Sequence, residues 1–371
     1  REQLYKTTTL ISPQPTTTVA MYLLNYLLLG GLLTTGTCTI FYAKAGAEDG
    51  DGSWTAPFGS IQECVTAAGG GDECQIRAGR YHEEVEVTGV RGWAQQPTLI
   101  KGYGDERPLL DGTVEIKPKA GEWQIMGDIY YGEIEETIWQ LFYDDLMMTN
   151  ARWPNAKWSD KTVFDGTNHW AKTSKNSEKG KIISLNDDLK DSGLDMTGAI
   201  GILNIGAWNS FMAKIDHHTP GSNEFTYTDT FGNYPTKWKH SKYYLEDKLE
   251  LLDAPEEWFF NKDTKVLYFI PPVGKTFTGA TSLRGKVMSY AMKISDSYNV
   301  EVKNIDFFGT TVKAAANRAA RTGINGLRFD SLNFNYPCAS KRMLQEVSLP
   351  ECMVVDGTGR DDGKMWINKR T

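Results

Sequence analysis

The 371-residue sequence predicts an all-β protein, a right-handed parallel β-helix (a solenoid) with a short N-terminal cap helix and an inserted antiparallel β module. Three observations lead to this fold class. Between residues 60 and 113, a short amphipathic helix precedes strand-like segments that are separated by glycine-bearing turns. Two later segments, near residues 300 and 330, match each other at every apolar position. Between these regions, polar and apolar residues alternate as they do in antiparallel hairpins.

The chain first forms a cap. Residues 60–68 predict a helix because their apolar side chains keep helical spacing behind Ser60, a residue type that favours the N-cap position. A helix here would cover the end of stacked strands, where an open edge would invite association. Short strand-like segments follow, and Ile76-Arg77-Ala78-Gly79 is expected to repeat one coil later as Ile100-Lys101-Gly102-Tyr103.

Three motifs in this region carry a resemblance to known proteins. They are APFGSIQ at residues 56–62, GD-x-C-x-I-x-AG-x-Y from Gly71 to Tyr81, and ERPLLDG from Glu106 to Gly112. The region resembles the N-terminal cap and early coils of secreted right-handed parallel β-helix proteins of the polysaccharide lyase and glycoside hydrolase type. The resemblance covers most of residues 41–350, and it implies the fold more specifically than the reaction.

Four segments follow from these patterns. We expect a leader or signal-like segment at 1–37, the cap and first coils at 38–113, the inserted antiparallel module at 114–280, and further coils at 281–371. Because no C-terminal cap is recognisable, we favour a truncated solenoid. The alternative is an open C-terminal coil that self-associates.

The coils near the C-terminus predict their own register. Residues 299–309 align with residues 326–336, so their apolar side chains would face inward one coil apart. Outward, Glu301 would lie beside Arg328, and Lys303 beside Asp330. Parallel strands lie about 4.8 Å apart, so opposite charges stacked in this way support the register.

The N-terminus and the overall charge indicate where the protein acts. An apolar run that starts at Met21 has about the length of a signal-peptide core, which predicts a secreted, extracellular protein. The alternative is a strand or plug that covers an apolar surface. The net charge is −7 and no Lys/Arg block occurs, which argues against nucleic acid as a partner.

Five cysteines suggest disulfides and no zinc site. A Cys64–Cys74 bridge would pin the cap helix to the first coil, and a Cys338–Cys352 bridge would close one loop. Cys38 is left over. The alternative is that all five are reduced and buried.

The resemblance decides the candidate chemistry. It implies a polysaccharide bound along an outer groove, cleaved by a lyase with a Lys or Arg base and Ca²⁺ or another cation, or by a hydrolase with paired carboxylates. For a hydrolase we select Asp306 and Asp330, whose alternative role is a charged ladder with Lys303. For a lyase we select Lys341 and Arg342, whose alternative role is an ordinary solvated pair.

Three residues of the inserted module are candidates for substrate binding. Arg152 and Trp153 combine a carboxylate-binding and a sugar-stacking group, although Trp153 could equally pack on the coil. His218 could contact sugar. It is unlikely to share a metal ion with His217, because adjacent residues of a strand point to opposite sides. No metal ligand and no certain cofactor are predicted.

The sequence therefore predicts a secreted carbohydrate-active protein, a polysaccharide lyase or glycoside hydrolase that binds an extended glycan along a β-helix groove. The competing hypothesis is a non-catalytic extracellular protein with an adhesive, structural or fibre-forming role on the same scaffold. Convergent acids or an uncommitted Lys/Arg pair in an open groove would favour the enzyme.

Overall fold

The structure is a computed structural model that describes residues 38–206, 209–275, 277–278, 282–316, 323–346 and 354–356. Contacts divide the chain into two units, Arg1–Cys38 and Thr39–Thr371, and the second unit contains every described strand and helix. The predicted leader at 1–37 lies outside the described residues. In the described part of the chain, no helix is long and apolar enough to cross a membrane.

The first part of the described chain holds a cap helix and seven strands. Helix α1 spans Ile61–Ala67, and the Ser60 hydroxyl accepts a hydrogen bond from the backbone N–H of Glu63. In return, the Glu63 carboxylate accepts from the backbone N–H of Ser60, which completes a capping box and confirms the predicted helix. The strands, β1 to β7, span Ile40–Ala43, Glu73–Ile76, Arg80–Tyr81, Val85–Thr88, Thr98–Gly102, Leu109–Asp111 and Thr113–Glu115.

The middle of the chain holds mainly antiparallel strands. They are β8 to β22, at Gln124–Met126, Ile129–Glu133, Leu141–Tyr143, Leu146–Met147, Thr149–Asn150, Arg152–Trp153, Ala171–Lys172, Lys181–Ile183, Ile200–Gly206, Asn209–His218, Glu224–Tyr227, Lys242–Glu246, Glu257–Asn261, Val266–Phe269 and Leu283–Lys286. Helix α2 spans Asp188–Asp191, and short 3₁₀ helices span Thr162–Phe164, Trp238–His240 and Leu249–Leu251. A hairpin forms between β10 and β11, with Asp144 and Asp145 at positive φ.

The last part of the described chain returns to parallel strands. They are β23 to β31, at Tyr290–Ser295, Ser297–Tyr298, Val300–Lys303, Asp306–Phe308, Thr311–Ala315, Ile324–Asn325, Arg328–Asp330, Asn333–Asn335 and Val354–Asp356. A 3₁₀ helix at Arg342–Leu344 precedes the last of these strands.

Three parallel sheets join the two ends of the described chain. Sheet 1 contains β1, β2, β5, β25 and β29; sheet 2 contains β3, β6, β26 and β30; sheet 3 contains β4, β23, β27 and β31. From β2 onward, the chain visits sheets 1, 2 and 3 in this order four times, as β2-β3-β4, β5-β6-β23, β25-β26-β27 and β29-β30-β31. Strands before the antiparallel segment pair directly with strands after it, as β5 does with β25 and β6 does with β26.

The register predicted for the later coils is confirmed. Glu301 lies opposite Arg328, and Lys303 lies opposite Asp330. On the inner side, the rings of Phe307 and Phe334 stack with centroids 4.7 Å apart. The inward side chains form one apolar core with those of the cap helix, which includes Ile61, Cys64, Ile76, Val85, Ile100, Leu110, Ile294, Val302, Ile305 and Phe307.

The repeat predicted in the first coils is wrong by two residues. Ile100 lies opposite Cys74, whereas Ile76 lies opposite Gly102. Both Ile76 and Ile100 face the core, so a shift of two residues preserves the alternation of the strand and cannot be detected from it.

The antiparallel strands enclose two further cores. One sheet has the order β12-β20-β21-β9-β8, and another has the order β13-β19-β16-β17-β18-β15. Residues 149–153 connect them, since Asn150 pairs with Trp258 and Arg152 pairs with Glu246. One core centres on Tyr243 and Phe225, and the other on Trp258 and Phe269.

A buried carboxylate joins the parallel sheets to the antiparallel strands. Asp111, at the end of β6, is fully buried, and its Oδ2 lies 2.7 Å from Arg80 and 2.8 Å from Arg284. Its Oδ1 accepts hydrogen bonds from the backbone N–H and the hydroxyl of Thr113. Because Arg284 belongs to β22, this ion pair fixes the antiparallel segment against sheet 2.

One of the two predicted disulfides is present. Cys64 in α1 bonds to Cys74 in β2, with an S–S length of 2.06 Å and a Cα–Cα distance of 5.6 Å. This confirms the predicted Cys64–Cys74 bridge, which links the cap helix to β2. The other predicted bridge, Cys338–Cys352, cannot be followed because Cys352 lies outside the described residues.

Candidate functional site

A groove of about 670 Å³ lies on the outer face of sheet 1. Strands β2, β5 and β25 and the turn that follows β5 form it. Its lining residues are Gln75, Pro97, Leu99, Lys101, Gly102, Tyr103, Gly104, Glu301, Lys303 and Asn304. The groove therefore combines apolar, aromatic, amide and charged groups on one face of sheet 1.

The register of sheet 1 sorts the outward side chains into two rows. One row contains Gln75, Lys101, Lys303 and Asp330, and the other contains Glu73, Leu99, Glu301 and Arg328. Successive strands of a sheet lie about 4.8 Å apart, so each row offers one side chain at that interval. The groove thus presents a repeating array along the stacking direction.

The charges of the two rows neutralise one another. The ion pairs are Lys101–Glu73 at 2.8 Å, Lys303–Asp330 at 3.0 Å and Arg328–Glu301 at 3.8 Å. Although partial burial opposes ionisation of Glu73, hydrogen bonds from Lys101 and Gln75 hold its pKa below the usual value. The Lys303 ammonium likewise lowers the pKa of Asp330. Both carboxylates are therefore ionised and paired.

One end of the groove meets an aromatic cluster. Tyr103 lines the groove, and its ring centroid lies 4.9 Å from that of Trp54 and 6.1 Å from that of Tyr42. The guanidinium of Arg77 lies 4.9 Å from the Tyr103 ring. The groove therefore continues into aromatic surface near the cap.

The two predicted catalytic acids lie on different sheets. Asp330 belongs to sheet 1 and ends the outward row that also holds Lys303. Asp306 belongs to sheet 2, where its Oδ1 accepts hydrogen bonds from Arg107 at 2.9 Å and from Asn333 at 2.8 Å. The residue one strand beyond Asp306 is Asn333, so no second carboxylate of the described coils stacks on it. This geometry fits the charged-ladder alternative for Asp330, which pairs with Lys303, whereas Asp306 pairs with Arg107 instead.

The two predicted cations of a lyase are engaged elsewhere. Arg342 Nε donates to Glu246 Oε1 at 2.6 Å, and Glu246 is almost fully buried. Burial opposes the charge of Arg342, but the Glu246 carboxylate raises its pKa above the usual value. The Lys341 ammonium lies 4.8 Å from the ring centroid of Trp139. Neither residue lines the groove of sheet 1.

The three predicted substrate-binding residues are buried or half-buried within the antiparallel segment. Arg152 is 3% exposed, and its guanidinium donates to the carbonyl oxygens of Pro154 and His169. Trp153 is half-buried against the core that contains Tyr243. His218 is 2% exposed, with its ring nitrogens at 3.2 Å from the N–H of Met196 and 3.1 Å from the carbonyl of Ser222. Their burial does not favour contact with a glycan.

Two buried acids, Asp247 and Glu257, were not predicted from the sequence. Burial and the neighbouring Glu246 carboxylate raise the pKa of Asp247 to about 7. Burial and the neighbouring Asp253 carboxylate raise the pKa of Glu257 to about 8. Asp247 is preceded by Glu246 and followed by Lys248, which resembles a solvated charge cluster, so the sequence holds no signal of its burial.

Within the described part of the chain, we find no set of side chains that could jointly bind a metal ion. No three His, Cys, Asp or Glu side chains among the described residues are placed to hold a metal ion. The Ca²⁺ that a lyase would use stays a prediction.

Comparison with solved structures supports the fold. A structure titled "Glycoside hydrolase" matches with a TM-score of 0.56 and 16% identity, over 74% of this chain and 51% of that chain. The chain thus spans about half the length of this structural relative. No protein-family model matches the sequence. No curated protein matches it either.

Two weaker overlaps were also found. A structure titled "The complex structure of XylC with xylose" gives a TM-score of 0.36 at 11% identity, over 84% of this chain and 44% of that chain. A bacteriophage tailspike in complex with a capsular saccharide gives 0.18 at 6% identity, over 70% and 41%. At these TM-scores neither overlap carries an argument. The described chain is therefore an all-β protein whose fold is similar to that of a glycoside hydrolase structure.

Proposed function

We propose that this chain is a carbohydrate-active protein that holds an extended, uncharged glycan in the groove of sheet 1. One observation carries the proposal: the charged side chains that line the groove are already paired with oppositely charged neighbours in the two outward rows. Sugar hydroxyls can donate to carboxylates and accept from ammonium groups without separating such pairs. The fold that the chain shares with a glycoside hydrolase structure agrees with this proposal.

The charge balance favours a neutral glycan over a polyuronate. The two rows hold three cations, Lys101, Lys303 and Arg328, and three anions, Glu73, Glu301 and Asp330. A uronate carboxylate would have to displace Glu73 or Asp330 from its lysine. Repulsion from the displaced carboxylate would then oppose binding of the uronate. For this reason we favour a glycoside hydrolase over a lyase as the enzymatic form of the proposal.

The architecture that supports this function is, in our proposal, a right-handed parallel β-helix. The fixed order in which the chain visits sheets 1, 2 and 3 is what such a coil requires, and right-handed connection is the rule for parallel strands. The cap and first coils would occupy 38–113, the inserted module 114–280 and the later coils 281–371. The sugar-binding face would then be one side of a prism that further coils could extend.

We propose Asp330 and Asp306 as the two reacting carboxyl groups of the hydrolase. Asp330 is the predicted acid that shares a row with groove-lining residues, and its lowered pKa suits a base or nucleophile rather than a proton donor. Asp306, on the adjoining sheet, stays the predicted second acid. Replacement of Asp330 by Asn should abolish cleavage while leaving glycan binding measurable, and Asp306→Asn tests the partner in the same way.

The test is incubation of the protein with neutral and uronate-containing polysaccharides, with products followed by mass and by ultraviolet absorbance. We expect saturated, shortened products from a neutral glycan. Unsaturated uronate products would establish a lyase and contradict the neutral groove.

A groove-filling variant links any activity to this site. In Leu99→Arg, the new side chain would fill the groove between Glu73 and Glu301, two carboxylates in the same outward row, so the fold should tolerate it. The matched control is Leu99→Met, which keeps the size and polarity of the native side chain. Loss of binding in Leu99→Arg alone supports the proposal; equal binding by both variants contradicts it.

A non-catalytic, adhesive or structural glycan-binding role is the second candidate. It is favoured by the ion pairing of Asp306 and Asp330 in separate sheets, which resembles a scaffold more than a reaction centre. Binding of a neutral glycan without cleavage, together with assemblies in solution, would select this role over the hydrolase.

Secretion to an extracellular location is also part of the proposal. The Cys64–Cys74 disulfide supports it, because such bonds persist mainly in oxidising compartments. Detection of the protein in the medium of its producing cells, with this bond intact, is the corresponding test.

A further inference from the structure

An exposed tryptophan extends the groove toward the N-terminal cap. Trp54 lies in the loop after β1, and half of its surface is exposed, although Trp side chains are usually mostly buried. Tyr103 lines the groove and also touches this ring, with centroids 4.9 Å apart. Trp54 therefore presents an exposed aromatic surface directly beside the groove.

The loop that carries Trp54 is fixed. The backbone N–H of Tyr42 donates to the carbonyl of Gly52 at 2.9 Å, and the N–H of Gly52 donates to the carbonyl of Ala56 at 3.0 Å. Gly52 has a φ of +82°, and a Cβ there would lie 2.3 Å from the Phe58 ring, so only glycine fits. The indole is thus held in place before any ligand arrives.

The ring is also oriented by its neighbours. The Arg77 guanidinium lies 4.8 Å from the centroid of Trp54, and Tyr42 meets the ring edge-on at 5.3 Å. Arg77 in turn forms a bidentate pair with Glu106, with Nε 3.0 Å from Oε2 and Nη2 2.9 Å from Oε1. The Arg77 charge beside Trp54 is therefore neutralised by Glu106.

We propose that Trp54, supported by Tyr103, is a stacking subsite for a pyranose ring of the same neutral glycan, one or more units beyond the groove. Half-exposed, preoriented aromatic rings bind the apolar face of a sugar, while Arg77 and Glu106 offer hydrogen bonds to its hydroxyls. The inference rests on the proposed function of the groove. It adds that affinity rises with glycan length once the chain reaches Trp54.

The test is calorimetric binding of a length series of neutral oligosaccharides to Trp54→Ala and to the wild-type protein. We expect short oligosaccharides that fill only the groove to bind equally, and longer ones to bind Trp54→Ala about five- to tenfold more weakly. Trp54→Phe, which keeps an aromatic face, should recover most of that loss. The matched control is Phe164→Ala, which removes another exposed aromatic residue, from the antiparallel segment, and should leave all lengths unchanged.

The outcomes separate this inference from the function on which it rests. If all lengths bind Trp54→Ala as they bind the wild type, while Leu99→Arg abolishes binding, the subsite is overturned and the groove stands. If the wild type binds no neutral oligosaccharide of any length, the proposed function fails. A thermal melt of Trp54→Ala that matches the wild type excludes misfolding as the cause of a loss.

Discussion

Two buried acids predict that the protein loses stability as the pH rises. Asp247 is 4% exposed and Glu257 is 1% exposed, and both flank the strands at 149–153 that connect the two antiparallel sheets. Their folded-state pKa values, about 7 and about 8, lie above the ordinary values of 3.8 and 4.5. The folded protein therefore holds protons that the unfolded chain releases.

The sign and size follow from that difference. A carboxyl group whose pKa is raised on folding contributes stability that is fully present below its unfolded pKa and is lost as the pH rises through its folded pKa. Between pH 5 and pH 7, each of Asp247 and Glu257 should remove about 1.4 kcal/mol of unfolding free energy per pH unit. The loss should level off only above pH 8, where both groups are ionised.

Calorimetric melting from pH 5 to pH 9, with amide variants, measures this effect. Asp247→Asn should flatten the part of the profile that ends near pH 7, and Asn also tolerates the φ of +66° at this position. Glu257→Gln should flatten the part that ends near pH 8. The exposed control Glu115→Gln should leave the slope unchanged. A wild-type melting temperature that is constant or rising over this range would show that Asp247 and Glu257 are not held protonated in the folded protein.

Two further predictions concern the joints of the fold. Replacement of both Cys64 and Cys74 by Ser should cost about 3 kcal/mol of unfolding free energy in a urea titration, because the bond closes a loop across a sequence separation of 10 residues; an unchanged midpoint would contradict this. Asp111→Asn should cost about 3 kcal/mol, since it leaves the partly buried Arg284 without its anion. The exposed Glu115→Gln should cost less than about 0.5 kcal/mol of unfolding free energy. Equal losses in the two variants would show that Asp111 does not hold the antiparallel segment against sheet 2.

The sequence predicted those elements whose signals are local or repeated. The capping box at Ser60 is complete within four residues, so it needs no knowledge of the rest of the fold. The pairing of Val302 with Phe329 followed from matching apolar alternation together with opposite outward charges. Where only alternation was available, as between Ile76 and Ile100, the register was wrong by two residues.

The groove could not be predicted because its rows come from strands far apart in sequence. Lys101 and Lys303 become neighbours only because the antiparallel segment leaves and rejoins the same sheet. The burial of Arg152 and His218 could not be predicted either. Both residues are polar, and the strands that enclose them are far apart in sequence.

The outer face of sheet 1 is where we place the neutral glycan. A crystal structure of the protein soaked with a neutral oligosaccharide would locate the sugar. We expect sugar density along Leu99, Lys303 and Tyr103, with a ring stacked on Trp54 when the oligosaccharide is long enough. Density on sheet 2 beside Asp306, or on the antiparallel strands with the groove empty, would contradict it.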